Sequence, residues 1–337
     1  MISGTKRSTS FFVLAFLGIG VGVFLHVLFP SNTPPVREPT VSVASPLPPV
    51  STPAKIHTLL FAGDVMLSRS VGAKIRASGD FRFPFLRIAS TTRTADIAFA
   101  NLEGPISDRG ENQGSIYSFR ADPRTVEGLS YAGFDVLSLA NNHMFDWGQD
   151  ALSQTVDLLH TAGIRTVGAG NDETEANAPA ILDLDGTKVG FLAYTTLLPE
   201  SFEAQGEIPG ISHRGRVSVE SAVRALRKDV DLLFVSVHWG NEYEEVSSDT
   251  QRVFGHALID AGADLVVGHH PHVAEEVERY KNGWIAYSLG NFVFDQNFSE
   301  ETMQGLLLRV SVKGERIEGI TTDTAYLDKD FRPSLVP

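Results

Sequence analysis

The sequence predicts an α/β fold, on three observations. Short apolar runs rich in β-branched and aromatic residues alternate with helix-periodic stretches from residue 57 onward. Several of these runs end in a carboxylate, an asparagine or a histidine, at the strand edge where open α/β sheets bind ligands. The chain has 337 residues, enough for one large domain or two small ones.

The elements follow in chain order. Phe11 to Phe29 is an uncharged apolar run that as a helix spans roughly 28 Å, close to a bilayer's hydrocarbon thickness. Lys6 and Arg7 precede it, and positive flanks stay in the cytoplasm. The reading is a signal-anchor helix over 11–29, with residues 1–10 cytoplasmic and the rest of the chain outside. A cleaved signal peptide is the competing reading. It wants a shorter apolar core and a small-x-small site, whereas this run continues past Gly18, Gly20 and Gly22, and no Ala-x-Ala follows. Residues 30–56 hold eight prolines among Ser, Thr and Val. They read as a polyproline-biased tether that reaches up to ~80 Å when extended.

Strands are expected at Thr58–Ala62, Ile97–Ala100, Val136–Leu139, Arg165–Val167, Val189–Tyr194, Leu232–Val237, Leu265–Val267 and Ile285–Ser288. Helices are expected between them. In Ala151–Ala162, Leu152, Val156 and Leu159 share one face; Val219–Lys228 is similarly patterned, as is Asp249–Ala261, which stops at Gly262. From Gly305 the pattern becomes a hairpin, with Leu306–Val312 and Ile317 onward joined at Lys313-Gly314-Glu315. One domain over 57–335 is the simplest account.

The polar strand ends carry the chemistry. Asp64 closes Leu59-Leu-Phe-Ala-Gly-Asp, where Gly63 lets the backbone turn and a metal approach. Glu103 is displayed by the turn sequence Asn101-Leu-Glu-Gly-Pro105. In Asn141-Asn142-His143, Asn142 offers a hard neutral oxygen where another carboxylate would bring excess charge. Asp146, three residues past His143, suits it to hold that histidine as a general acid. His238 ends the run from Leu232. In Gly268-His269-His270-Pro271-His272, an extended loop would direct the His270 and His272 rings to one cluster, with Pro271 stiffening the backbone between them. His269 reads as a ligand, a donor to a ligand, or a structural group. Asn291, in Ser288-Leu-Gly-Asn, either lines the pocket or belongs to a plain turn. His160, His213 and His256 read as surface or structural residues. Two carboxylates, an asparagine and four or five histidines suit one or two divalent ions: Mn, Zn or Fe.

Composition narrows the function. There is no cysteine, so any metal takes N and O ligands. Formal charge is −13, with a balance of +3 before residue 57 and −16 after it. Such a surface repels phosphate backbones, and nucleic acid is not an expected partner. The chain has no G-x-S-x-G elbow, no Walker A sequence and no G-x-G-x-x-G after a strand.

Four strings, Asn-Asn-His-x-x-Asp-x-Gly, His-Trp-Gly-x-Glu, Gly-His-His-Pro-His and Ser-Leu-Gly-Asn-Phe, resemble the capsule-synthesis CapA family, also called the poly-γ-glutamate synthesis protein family. That family belongs to the calcineurin-like metallophosphoesterase superfamily. The resemblance covers roughly residues 57–300. It implies a four-layer α/β/β/α sandwich with a metal cluster at one sheet edge. It implies Asp64, Glu103, Asn142, His238, His270 and His272 as ligands of one or two metals, and His143 as the catalytic acid. A metal-dependent hydrolase is then expected, on a phosphoester or the capsular polymer. A non-enzymatic subunit of a capsule-synthesis membrane complex, or an amide hydrolase or transferase, is the alternative. Two positions depart from the superfamily pattern: Met66 stands where His is usual, and Glu103 where Asp is usual. A thioether suits a hard cation poorly, so histidine at position 66 would be expected to strengthen metal retention.

Overall fold

A computed structural model describes residues 55–212 and 215–335. The expected anchor over 11–29, the tether up to residue 54, and His213 lie outside the described residues. Among the described residues no helix is long and apolar enough to cross a membrane.

Among the described residues the strands are β1 (Ile56–Val65), β2 (Ile97–Leu102), β3 (Val136–Ser138), β4 (Arg165–Val167), β5 (Ala169–Gly170), β6 (Ala180–Leu184), β7 (Thr187–Thr195), β8 (Gly210–Ile211), β9 (Leu232–His238), β10 (Leu265–His269), β11 (Val277–Tyr280), β12 (Gly283–Ala286), β13 (Asn291–Val293), β14 (Gln304–Lys313), β15 (Arg316–Leu327) and β16 (Pro333–Ser334). The helices that accompany them are α1 (Arg69–Ser78), α2 (Ala89–Thr92), α3 (Val126–Ala132), α4 (Gln149–Thr161), α5 (Glu173–Asn177), α6 (Arg216–Leu226) and α7 (Asp249–Ala261).

The strands form two mixed sheets and one short pair, β5 with β8. The larger sheet runs β16-β15-β14-β1-β2-β3-β4, with β13 also paired to β1. Its β1, β2, β3 and β4 are parallel, while the β14–β15 hairpin adds antiparallel to β1. The smaller sheet runs β11-β12-β10-β9-β7-β6, parallel at its centre with antiparallel edges.

Strand alternation assigns the two faces of each sheet. On β1, Leu59 and Phe61 join an inter-sheet core with Phe99, Phe191 and Phe234, while Leu60 and Ala62 join a second core with Val71, Leu129 and Val156 of α1, α3 and α4. On the smaller sheet, Phe234 faces inward, while Leu233 and Val235 pack with Val223 of α6 and Leu258 of α7. Both sheets are thus covered on both faces, which is why their central strands read as continuous apolar runs.

The expected long elements are all present, within a few residues of their expected ends. The structure adds β5, β6, β8, β11, β13, β16, α1, α2, α3 and α5, and moves the strand expected at Ile285–Ser288 to Gly283–Ala286. The parallel strands of both sheets end toward one edge. There the pairing sets Asp64 beside Asn101 and Asn291, and His238 beside His269.

Candidate metal centre

Asp64 is fully buried near the end of β1, and its surroundings define the site. Asn101 Nδ2 donates to Asp64 Oδ1 at 2.8 Å and to Glu103 Oε2 at 3.3 Å, so one amide ties the two carboxylates together. His269 Nδ1 lies 3.1 Å from Asp64 Oδ1, and the His270 backbone N–H donates to Oδ2 at 3.2 Å. His272 bridges the acids, with Nδ1 3.4 Å from Asp64 and Nε2 3.6 Å from Glu103. Its Nδ1 also lies 3.1 Å from Asn291 Oδ1.

Two packing constraints hold these groups. A Cβ on Gly63 would sit 2.0 Å from the Gly290 carbonyl oxygen, and one on Gly268 1.7 Å from that of Tyr287. Gly63 therefore serves close approach of two backbones, where the pairing of β1 with β2 shifts register. The histidine loop is not extended, contrary to expectation. His270 and His272 take left-handed backbone conformations, with φ of 99° and 60°, which non-glycine residues adopt only when their surroundings force it. The result is what the extended loop was to achieve: the two rings lie 5.8 Å apart, facing the same cluster.

The remaining groups enter from β3 and β9. His238 Nε2 lies 2.8 Å from Asn142 Oδ1, and the His238 ring is 4.9 Å from that of His270. Asn141 does not face the cluster directly. It donates to the Leu102 carbonyl at 2.8 Å and to Asn101 Oδ1 at 3.2 Å, and its own Oδ1 accepts from the His143 backbone at 3.2 Å. His143 Nδ1 is 2.7 Å from Asp146 Oδ2, which also accepts the Phe119 backbone N–H at 2.8 Å. The Phe119 ring stacks on His143 at 3.9 Å. The other nitrogen, Nε2, faces Glu103 Oε1 at 3.9 Å.

Electrostatics separate the two acids. Burial pushes Asp64 up, but the hydrogen bonds and the charges of His269 and His272 together outweigh it and hold Asp64 well below the usual carboxylate range. Burial also pushes Glu103 up, and there the negative charges of Asp64, Glu242 and Asp146 reinforce it, leaving it well above the usual range. Burial, with the neighbouring His270 charge, drives His238 well down; burial and His272 bring His270 to about 3. Both imidazoles are therefore neutral and able to donate a lone pair.

The donor set fits divalent cations. Ligand atoms of Asp64, Glu103 and His272 lie within 4.8 Å of one another, as do those of Glu242, His270 and His272. Glu103 Oε1, His269 Nε2 and His270 Nδ1 are buried with no hydrogen-bond partner. Each such orphan costs about 1–3 kcal/mol unless something compensates it, and a cation would. Of the six ligands implied by resemblance, Asp64, Glu103, His270 and His272 fall in these two groups, and Asn142 with His238 forms the adjoining pair. Glu242 and Asn101 were missed. Glu242 was legible as the acid of His-Trp-Gly-x-Glu, whereas Asn101 carried only its place beside Glu103 in sequence.

Met66 is a packed residue. It is fully buried in the core shared with the outer helices, and its sulfur accepts from the Ser68 backbone and hydroxyl at 3.2 and 3.1 Å. The imidazole against Asp64 comes instead from His269, on the other sheet.

Two mixed sheets that bring N and O donors to a shared carboxyl edge define an α/β protein with a candidate metal centre. Its fold is similar to that of a novel phosphatase from Mycoplasma pneumoniae, at TM-score 0.50 and 13% identity, covering 80% of this chain and 94% of that one. It is equally similar to a hypothetical protein from Thermus thermophilus, at TM-score 0.50 and 18% identity, covering 79% and 98%. The bacterial capsule synthesis protein family PGA_cap matches residues 58–296, and the chain belongs to that family. Capsule biosynthesis protein CapA of Bacillus anthracis is 34% identical over 250 residues, 72% of this chain and 61% of that protein. PGA biosynthesis protein CapA of Bacillus subtilis is 31% identical over 257 residues, covering 75% and 67%. The chain thus matches somewhat under two thirds of the anthracis protein's length.

Proposed function

We propose that this protein is a metal-dependent hydrolase of phosphoester bonds that serves synthesis, export or anchoring of capsular poly-γ-glutamate, with its domain held outside the cell membrane by the 11–29 segment. The observation that carries the reading is the cluster of unpartnered N and O donors around Asp64 and Glu103, beside a histidine held by a carboxylate. Bound divalent ions supply Lewis-acid polarisation and an activated water at neutral pH. Asp64, Glu103, His272, His270, Asn142 and His238 would hold them, and His269 and Asn101 orient Asp64.

His143 moves the proton. Asp146 accepts from Nδ1–H, which leaves Nε2 as the atom that donates to the leaving oxygen. Phe119 stacking and the Asn141 contact to the His143 backbone hold that ring and loop in place.

The test is a screen of phosphodiester, phosphomonoester and γ-glutamyl chromogenic substrates. His143→Ala is expected to keep its metal and lose roughly 10²–10⁴-fold in rate. His272→Ala is expected to lose both metal and rate. A wild-type protein that is folded, metal-loaded and inactive on every substrate would contradict hydrolysis and support a non-enzymatic capsule-assembly subunit.

A further inference from the structure

A cavity of about 280 Å³ opens over His143 and His272. Among the described residues, Arg69 is the one arginine or lysine that lines it. The rest of its wall includes an acid, Glu242, and the aromatic side chains of Tyr117, Phe119, Tyr243 and Phe298. On a chain of formal charge −13, an anionic substrate meets a single protein cation on entering this site.

That cation is held in place. Arg69 takes a left-handed backbone conformation, φ 50°. Its Nη2 lies 3.3 Å from Asp295 Oδ1, a side chain only 1% exposed, while the other Asp295 oxygen accepts the Ser70 backbone N–H at 2.9 Å. The guanidinium carbon is 5.4 Å from the centre of the Phe119 ring and 5.8 Å from that of Tyr117. Phe119 is the ring that stacks on His143, so one aromatic links the guanidinium to the proposed proton donor. Arg69 remains 36% exposed. A guanidinium has five N–H donors, and the Asp295 contact engages only one side of it. The others are free for an oxyanion, which a planar fork binds with two parallel hydrogen bonds.

Resting on the hydrolase reading above, we propose that Arg69 is a substrate-positioning residue: it holds a second anionic group, carboxylate or phosphate, of a phosphoester whose reacting group sits at the metal centre. The substrate class is then a phosphoester with at least two anionic groups. The aromatic wall accepts the apolar stem between them.

The experiment measures binding, so it does not depend on turnover. The full chain, in detergent and loaded with Mn, is titrated calorimetrically with inorganic phosphate, with phosphoglycolate and with propane-1,3-diol bisphosphate. The first carries one anionic group, the second adds a carboxylate, and the third adds a second phosphate. At least one two-anion probe is expected to bind about tenfold or more tighter than phosphate, the scale of a charge-assisted pair. Which probe gains tells carboxylate from phosphate. Arg69→Lys is expected to lose most of that advantage, because an ammonium cannot make the paired contact. Arg69→Gln combined with Asp295→Asn is expected to lose all of it, without leaving a buried carboxylate unpaired. Phosphate affinity and Mn-induced thermal stabilisation should stay unchanged in both variants, which shows the site intact. No advantage in wild type, or an advantage that survives both substitutions, would overturn the role of Arg69 alone. Failure of wild type to bind phosphate would overturn the metal-site reading and this proposal together.

Discussion

At the scale of single residues, Met66 and His269 separate what spacing can tell from what folding decides. Position 66 is two residues past Asp64, where the superfamily pattern has histidine, yet Met66 lies fully buried in the core under the outer helices. An imidazole there would be desolvated among apolar side chains. Met66→His is therefore expected to cost on the order of 1–3 kcal/mol in urea unfolding and to leave metal retention against a chelator no better than wild type. Tighter retention with unchanged stability would show that position 66 reaches the metal after all. His143 and Asp146 were legible because a short turn brings residues three apart together, and they meet at 2.7 Å. The contact of His269 with Asp64 was not legible, because it spans 205 positions and depends on how two sheets face each other. Nor were the left-handed conformations at His270 and His272, which surrounding structure imposes against local preference.

At the scale of elements, the long parallel strands and α4, α6 and α7 were readable because burial on both faces, or on one stripe, leaves a periodic trace over many residues. Three-residue β13 is too short to leave one, yet it pairs with β1 and sets Asn291 beside Asp64. Helix α7 illustrates the link from local signal to site. Ser248 and Gln251 form its capping box, and Gln251 Nε2 also donates to Glu275 Oε2 at 2.7 Å, just past the histidine loop. Burial, with repulsion from Glu276 and Glu244, raises the Glu275 carboxyl to about 7 despite that hydrogen bond. The sign follows from linkage. The folded state holds this proton more tightly than the unfolded chain, whose glutamate titrates near 4.5. The associated stability is complete below pH 4.5 and is lost as pH rises through about 7. Glu275→Gln removes the titration while keeping an oxygen for Gln251. The variant is expected to exceed wild type at pH 8 by on the order of 1–2 kcal/mol, after discounting for solvent, with the difference shrinking at pH 5. Urea unfolding at both pH values checks this; a difference independent of pH would contradict it.

At the scale of the whole molecule, two sheets supply one edge with acids, amides and imidazoles from at least five strand ends, and the acidic surface around them favours cations over anions until metal is bound. The proposed anchor over 11–29 would put this domain outside the membrane. Protease added to intact spheroplasts is expected to remove it, and a protected domain or a mature amino terminus near residue 30 would refute that topology. The central claim concerns the metal. Elemental analysis of the full chain, purified without chelator, tests it most directly. The donor geometry predicts close to two, and at least one, divalent ions per chain, with a rise in melting temperature on adding Mn, Zn or Fe to chelator-treated protein. A stoichiometry near zero, with no stabilisation by any of the three, would contradict the account.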